Sequence, residues 1–442
     1  DREGVLFYKK QLLQKINDRT AVVGVVGLGY VGLPLAVEKN RVGFKVIGIE
    51  QNTQRAEMIN RGENYISDVN DEKLRQFVEK GMLKAVPDFS SIPEMDIIVI
   101  CVPTPLTKNL TPDLQYIEKV TKEIAARLRP GQLVCLESTT YPGTTDEVML
   151  PILNTSGLTV EYDFFLAHSP ERVDPGNKRY TTKNTTKVVG GVGPHSLEVA
   201  VEFYSQTVSR VVPVSSAKAA ELVKIFENTF RAVNIALVNE LTLLCDRIGL
   251  NIWEVLDAAF TKPFGIMPFY PGPGVGGHCI PIDPHYLEWK AKELNFSTHF
   301  IALAGEINRK MPEFVKDKAI RILNRMGVAT SGARVLVLGA AYKRDIADHR
   351  ESPAVEIMRL LQNEGVRVDY HDPLVPDLKK EGLNLSSVAL VPANLRKSDL
   401  VIIATDHSQV DYNWVVTHAR HVLDTRNATR TVKTNRERIT LL

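Results

Sequence analysis

Short apolar runs alternate with helix-like stretches along the first half of the chain. The runs are Ala21 to Val26, Phe44 to Ile49, Asp96 to Val102, Gln132 to Glu137, Asp163 to Ala167, Lys187 to Gly190 and Arg210 to Pro213. Apolar strands separated by helices imply right-handed crossovers and a doubly wound, mostly parallel sheet. Between Ser216 and Gly249 the texture changes. Leu222, Ile225, Phe226, Thr229, Val233, Ala236, Leu237 and Leu244 recur with a period near 3.6, and neither Pro nor Gly interrupts them. That spacing predicts one helix of about 30 residues. Helical patterning resumes at Trp253 to Phe260, breaks over the Pro/Gly-rich stretch 263–284, and returns from Pro284 to Met326. A second alternating block follows, with runs at Arg334 to Gly339, Val366 to His371, Leu400 to Thr405 and His421 to Leu423. The expected architecture is α/β, with doubly wound domains over 1–213 and 327–442 flanking a helical middle, 214–326, that carries the long central helix.

The totals narrow the class of protein. A chain of 442 residues is long enough for two or three domains, each with its own core. With 54 Lys+Arg against 52 Asp+Glu and no long basic run, nothing points to nucleic acid or an anionic membrane surface. Phosphate recognition, if present, is local. Four cysteines without paired spacing argue against a disulfide framework and fit a reducing compartment. No apolar stretch reaches the roughly 18 residues that would span a bilayer, and Asp1 to Arg19 is polar and charged rather than signal-like. A cytoplasmic chain is the simplest expectation.

Directly after the first apolar run stands Gly27-Leu28-Gly29-Tyr30-Val31-Gly32, opening a helical stretch with Pro34 in its first turn. Glycines at this spacing permit a tight turn, close approach of a pyrophosphate and close helix–strand contact, and the helix N-terminus adds free N–H groups and a positive dipole. Glu50 closes the next apolar run, where a carboxylate accepts bonds from a ribose 2′-OH and repels a 2′-phosphate. NAD is therefore expected over NADP. The bland alternative is a structural glycine turn. In the second block, Gly339-Ala340-Ala341-Tyr342 occupies the equivalent place but lacks the full pattern. Nearby Lys343, Arg344 and Arg350 either hold the phosphates of another nucleotide or are solvated surface charge.

Cys279 lies in Gly276-Gly277-His278-Cys279-Ile280-Pro281-Ile282-Asp283, downstream of Pro271 to Gly274. A thiol in a Gly/Pro-rich loop is poorly placed for packing and well placed to meet a ligand. Cys101, Cys135 and Cys245 fall in apolar runs or helical pattern and read as small core hydrophobes. A lone loop cysteine is more often inert. Beside a dinucleotide turn, however, a nucleophilic thiol can carry an alcohol oxidation beyond the aldehyde. The companions such chemistry needs are a cation for the developing oxyanion and a base or positioned water. Lys224 and Asn228 are spaced i,i+4 on one face of the long helix, or are a snorkelling lysine and a surface amide. Glu171 stands just beyond an apolar run, where ligands gather in parallel sheets, though loop glutamates are often merely solvated. Asp283 either orients a water and tunes the thiol or caps the helix that follows.

Six segments together resemble the UDP-glucose/GDP-mannose dehydrogenase family over essentially the whole chain. They are Gly27 to Pro34 (GLGYVGLP), Ser138 to Thr145 (STTYPGTT), Ser169 to Gly176 (SPERVDPG), Glu221 to Asn228 (ELVKIFEN), Gly276 to Asp283 (GGHCIPID) and Tyr342 to Pro353 (YKRDIADHRESP). The resemblance implies two Rossmann-like domains joined by a long dimerising helix, a homodimer or larger homo-oligomer, NAD on the first domain and a UDP-sugar reaching the second, with no metal. It implies Cys279 as nucleophile, Lys224, Asn228 and Asp283 as its companions, and Thr139 and Glu171 near the water and proton steps. For the cofactor it implies Gly27, Gly29, Tyr30, Val31, Gly32, Glu50, Arg55, Pro103, Thr104 and Thr139. For the substrate it implies Glu171, Arg172, Val173, Lys224, Asn228, Arg231, Gly274, Gly276, Lys343 and Arg350. One departure bears on substrate. Where the UDP-glucose branch reads SPEFLREG, this chain has SPERVDPG, leaving that branch's second carboxylate without an equivalent; Asp174 is nearby but out of register. The chain is more similar to the UDP-N-acetylhexosamine branch. Cys101 to Asp113 and Pro284 to Lys290 are most similar to the UDP-N-acetylglucosamine 6-dehydrogenases, whose reaction is a four-electron oxidation at C6. Two rivals remain at this point: a two-electron hydroxyacid dehydrogenase, which needs no thiol, and a nucleotide sensor without turnover.

Overall fold

The computed structural model describes residues 6–174 and 177–442; the last two residues of the Ser169 to Gly176 segment lie outside them. The chain divides into two compact units, Asp1–Glu227 with Trp289–Phe296, and Asn228–Glu288 with Ser297–Leu442. The first unit holds an eight-stranded sheet: β1 Val22–Val26, β2 Lys45–Ile49, β3 Leu83–Val86, β4 Ile97–Ile100, β5 Gln132–Leu136, β6 Phe164–His168, β7 Lys187–Gly191 and β8 Val211–Val214. Its order is β3-β2-β1-β4-β5-β6-β7-β8. Every neighbouring pair is parallel except β6 with β7. The strands buried on both faces are continuous apolar runs such as Ile97–Ile100, as a covered parallel sheet requires. Strand β3 escapes the sequence pattern because Lys84 faces out and leaves only short alternation in Leu83-Lys84-Ala85-Val86. The reversal at β7 brings Lys187, its first residue, to the edge where β5 and β6 end.

The second unit holds a smaller parallel sheet, β9 Arg334–Leu338, β10 Arg367–His371, β11 Leu400–Ile403, β12 Val422–Asp424 and β13 Ile439–Leu441, in the order β10-β9-β11-β12-β13. β13 is short and half-buried, so its apolar signal is weak. Its core packs Met311, Val315, Ala319 and Leu323 of the helix His299–Arg325, and Val355, Met358 and Leu361 of the helix Pro353–Asn363, against Val335 and Val337.

The long helix runs Ala217–Ile248, 32 residues, as its unbroken period predicts. Its period hides two stripes. Ala232, Ala236, Val238 and Cys245 are buried, while Phe230, Leu237, Leu241, Leu244 and Ile248 are exposed. The helical stretch from Pro284 to Met326 is two helices, Asp283–Glu293 and His299–Arg325. Asn295 takes a left-handed φ of 54° between them, a conformation asparagine tolerates and a helix does not. Pro312 lies inside the second of these helices. Among the described residues, no helix is long and apolar enough to cross a membrane.

Candidate active site

The turn after β1 uses its three glycines for three reasons. Gly27 has a φ of 92°, and a Cβ there would lie 2.6 Å from the Cys101 carbonyl oxygen. At Gly32 a Cβ would fall 1.7 Å from the Gly27 carbonyl oxygen, so only glycine lets the helix Gly32–Arg41 approach the turn. A Cβ on Gly29 would meet nothing within 4 Å beyond its chain neighbours, so that face of the turn is open. No side chain caps the helix. Those features match the separate requirements of turn, packing and pyrophosphate approach. Glu50, first after β2 and half-buried, accepts from Leu28 N–H at 3.2 Å with one oxygen and from Asn52 N–H at 3.0 Å with the other. Beneath it, the Tyr65 hydroxyl donates to the Leu28 carbonyl at 2.6 Å, and burial followed by the Glu50 charge pushes that phenol up to about 12. Arg55 lies over the Tyr65 ring at 5.1 Å. Tyr30 is exposed and Val31 half-buried beside the open turn.

The carboxyl ends of β4, β5 and β6 carry the remaining first-unit candidates. Ser138 donates to the Val102 carbonyl at 2.8 Å, tying the β5 exit to the segment holding exposed Pro103 and buried Thr104. Thr139, next along, is half-buried. After β6, the Ser169 hydroxyl donates to the Val188 carbonyl at 2.6 Å, and Glu171 turns one oxygen back to accept from Val173 N–H at 2.7 Å. Arg172 is engaged by Glu227 and by the Thr186 carbonyl, 2.7 Å away. Below this loop lies a buried charge cluster absent from the sequence reading. Lys187 is hydrogen-bonded to Glu137, and Lys39, fully buried, donates to Thr207 and lies 3.8 Å over the Phe203 ring. Burial, opposed by Glu137 and reinforced by Lys187, brings Lys39 down to about 7, and burial with the Lys187 charge drives His168 to about 3. Cys135 is buried here, 3.1 Å from the Tyr204 hydroxyl, while Cys101 is only partly buried.

Glu221, one turn before Lys224 on the long helix, is a second group that sequence alone did not single out. It is buried and accepts from Thr144 N–H at 3.0 Å, and its carboxyl is raised to about 8, first by burial and then by Asp146. A buried polar residue on an apolar helix was the only signal that could have marked it. Lys224 itself is half-buried, and Arg231 is exposed.

Within the second unit, the long helix and the cysteine loop meet. Asn239, fully buried, accepts from Gly272 N–H at 3.1 Å and donates to Asn308 at 3.0 Å, which pins the start of the loop. A Cβ on Gly274, whose φ is 142°, would touch Pro353 at 3.0 Å, and one on Gly276 would lie 2.6 Å from Tyr342. These glycines let the loop lie flat on the second sheet's first turn and helix. Gly277 N–H donates to the Arg350 carbonyl at 3.1 Å. Cys279 is half-buried, and its carbonyl accepts from Asp283 N–H at 2.8 Å. Asp283, 2% exposed, begins the next helix and accepts from the Asn228 amide at 2.5 Å, so Asn228 and Asp283 are brought together as a pair. His278 is lowered by burial and then by the Arg350 charge, which favours neutral imidazole beside the thiol. Lys343 is half-buried. The Arg350 guanidinium pairs with Asp348 at 2.6 Å.

An open glycine turn with an acidic strand end marks this chain as a dinucleotide-binding protein. Family models agree along its length: the NAD binding domain of the UDP-glucose/GDP-mannose dehydrogenase family matches residues 21–208, the central domain 218–310 and the UDP binding domain 336–431. A UDP-N-acetyl-D-mannosamine dehydrogenase from Pyrococcus horikoshii is 35% identical over 411 residues, 92% of this chain and 95% of that protein. A UDP-N-acetyl-D-glucosamine 6-dehydrogenase from Pseudomonas aeruginosa is 37% identical over 357 residues, covering 80% and 83%. The solved UDP-D-ManNAc dehydrogenase of Pyrococcus horikoshii superposes with a TM-score of 0.84 at 33% identity, covering 92% of this chain and 96% of that one. The chain belongs to the UDP-glucose/GDP-mannose dehydrogenase family. It is an NAD-dependent UDP-sugar dehydrogenase.

Proposed function

We propose that the enzyme oxidises the C6 hydroxymethyl of a UDP-N-acetylhexosamine, UDP-N-acetylglucosamine first among the candidates, to the uronic acid by removing four electrons. The observation that carries this reading is the Cys279 loop, joined through Asp283 to Asn228 of the long helix at 2.5 Å. NAD, when bound, accepts hydride at each oxidation. The first oxidation needs the C6 hydroxyl proton removed and the oxyanion stabilised. We assign stabilisation to the Lys224 ammonium and the Asn228 amide, and the water and proton steps to Glu171 and Thr139. The Cys279 thiolate then adds to the aldehyde carbon. The thiohemiacetal loses hydride to become a thioester, and water cleaves the C–S bond and returns the thiol. Asp283 holds the Asn228 amide in place. Gly27, Gly29, Gly32, Tyr30, Val31, Glu50, Arg55, Pro103, Thr104 and Thr139 form the proposed cofactor site. Val173, Arg231, Gly274, Gly276, Lys343 and Arg350 are assigned to the nucleotide sugar, with Arg350 exchanging Asp348 for a phosphate.

UDP-N-acetylmannosamine is the second reading, because relatives of near-equal identity carry that name. Turnover with UDP-N-acetylglucosamine, UDP-N-acetylmannosamine and UDP-glucose tests the proposal. Two NADH per sugar and an acid product are expected, and one NADH per sugar overturns the thiol route. The exposed stripe Phe230, Leu237, Leu241, Leu244 and Ile248 supports a homodimer built on the long helix, which light scattering checks. Substrate and cofactor together fit a cytoplasmic reaction.

A further inference from the structure

Arg172 follows Glu171 directly, and its guanidinium is held by Glu227 and Thr186. Nε and Nη2 reach one oxygen of Glu227 at 2.9 and 2.7 Å, and Nη1 donates to the Thr186 carbonyl at 2.7 Å. Glu227 lies three residues beyond Lys224 on the long helix, so the two project from neighbouring positions. Thr186 immediately precedes Lys187, whose buried bond to Glu137 anchors the start of β7. Glu171 is thus bracketed. On one side the Ser169 hydroxyl holds the Val188 carbonyl, and on the other Arg172 joins the helix that carries Lys224.

The energetics separate this contact from a core element. The Arg172 and Glu227 side chains are 27% and 35% exposed, and ion pairs that solvated add little to global stability. A guanidinium fixed by two acceptors nevertheless has a defined geometry that a single charge lacks. Geometry of that kind matters in a reaction site, where a displacement of about 1 Å can cost roughly 10²-fold in rate.

We propose that Arg172 and Glu227 form a strap that holds the Glu171 loop on the long helix, so that Glu227 is a positioning residue for the Glu171 and Lys224 steps. The strap rests on the roles proposed for those two residues. It also reassigns Arg172: its guanidinium places Glu171 rather than binding the nucleotide sugar.

The test combines kinetics with amide exchange on the full-length enzyme. Glu227→Ala and Arg172→Ala each lower kcat by about tenfold or more and leave KM for NAD unchanged. The double variant is no slower than Arg172→Ala alone, because the strap is broken only once. Amide exchange over residues 171–174 and 185–188 accelerates in each variant, while exchange around Gly27–Gly32 does not. Losses that add in the double variant overturn the strap, as does unchanged exchange in residues 171–174. A rise in KM for the UDP-sugar confined to Arg172→Ala makes Arg172 a substrate ligand and also overturns it. If the parent enzyme oxidises no UDP-sugar, the proposed function fails, and amide exchange alone then decides the strap.

Discussion

The turn after β1 and the turn after β9 are made from the same backbone parts. Gly27 N–H donates to the Ile49 carbonyl at the end of β2, and Gly339 N–H donates to the His371 carbonyl at the end of β10, each at 2.9 Å. Both glycines have positive φ, 92° and 87°. An acidic residue follows each second strand, Glu50 in the first unit and Asp372 in the second. From there the turns diverge. Half-buried Glu50 takes one turn amide at 3.2 Å and leaves the backbone around Gly29 open. Asp372, 2% exposed, takes two, from Ala340 at 2.7 Å and Ala341 at 3.1 Å, and is bonded to His407 at 2.8 Å. In the second turn a carboxylate from the protein therefore accepts two backbone amides of the turn where its counterpart in the first accepts one. A Rossmann-like turn can offer a ligand only those amides that the protein's own carboxylates leave unclaimed.

The largest expected effect separates the two units by function. Cys279→Ser should drop acid formation below about a hundredth of the parent rate while NAD still binds, because the first turn is untouched. Fluorescence titration with NAD and product analysis check both halves, and a serine variant that still releases acid at a tenth of the parent rate breaks the thiol assignment. Next comes Asp372→Asn, expected to cost about 2–4 kcal/mol at neutral pH by unbalancing buried amides and His407. Burial raises the Asp372 carboxyl, but the His407 bond and then the Ala340 N–H outweigh it and hold the group below its ordinary range. Its stabilisation is complete above the unfolded value of about 3.9 and is lost as pH falls through the lower folded value. The gap between parent and variant in thermal midpoint should therefore close in acid, and a gap constant with pH would dismiss the stabilising role of the Asp372 carboxylate.

Gly29→Val is expected to leave the thermal midpoint nearly unchanged, since the site is open, yet weaken NAD by about tenfold or more. Equal affinity would show that the backbone there never meets the cofactor. The smallest effect concerns Glu50. NAD should be preferred over NADP by more than about tenfold in kcat/KM, roughly 1.4 kcal/mol, and Glu50→Gln should erase most of that preference. A parent enzyme indifferent to the 2′-phosphate would remove Glu50 from the comparison.

The glycine spacing of the first turn, the continuous apolar strands and the uninterrupted long helix were legible because each depends on neighbours within a few residues. So were the loop position of Cys279 and the shared face of Lys224 and Asn228. The break at Asn295 was not legible, because a single residue in a left-handed conformation leaves the apolar period almost intact. Lys39, Glu137 and Lys187 read as ordinary charges in the sequence. They lie far apart along the chain, and only the reversal of β7 brings Lys187 to the end of β5.

Local pattern determined which segments became strands and helices, where a dinucleotide could approach, and which thiol lay in a glycine-rich loop, since propensity, periodicity and glycine stereochemistry act at short range. Tertiary structure decided which polar groups were already spent. Asp372 fills the second turn, Arg172 is held by Glu227, and Asp283 pairs with Asn228. Such pairings depend on strand order and helix placement over long sequence separations, and the demand that buried donors and acceptors be matched acts only once those elements have come together.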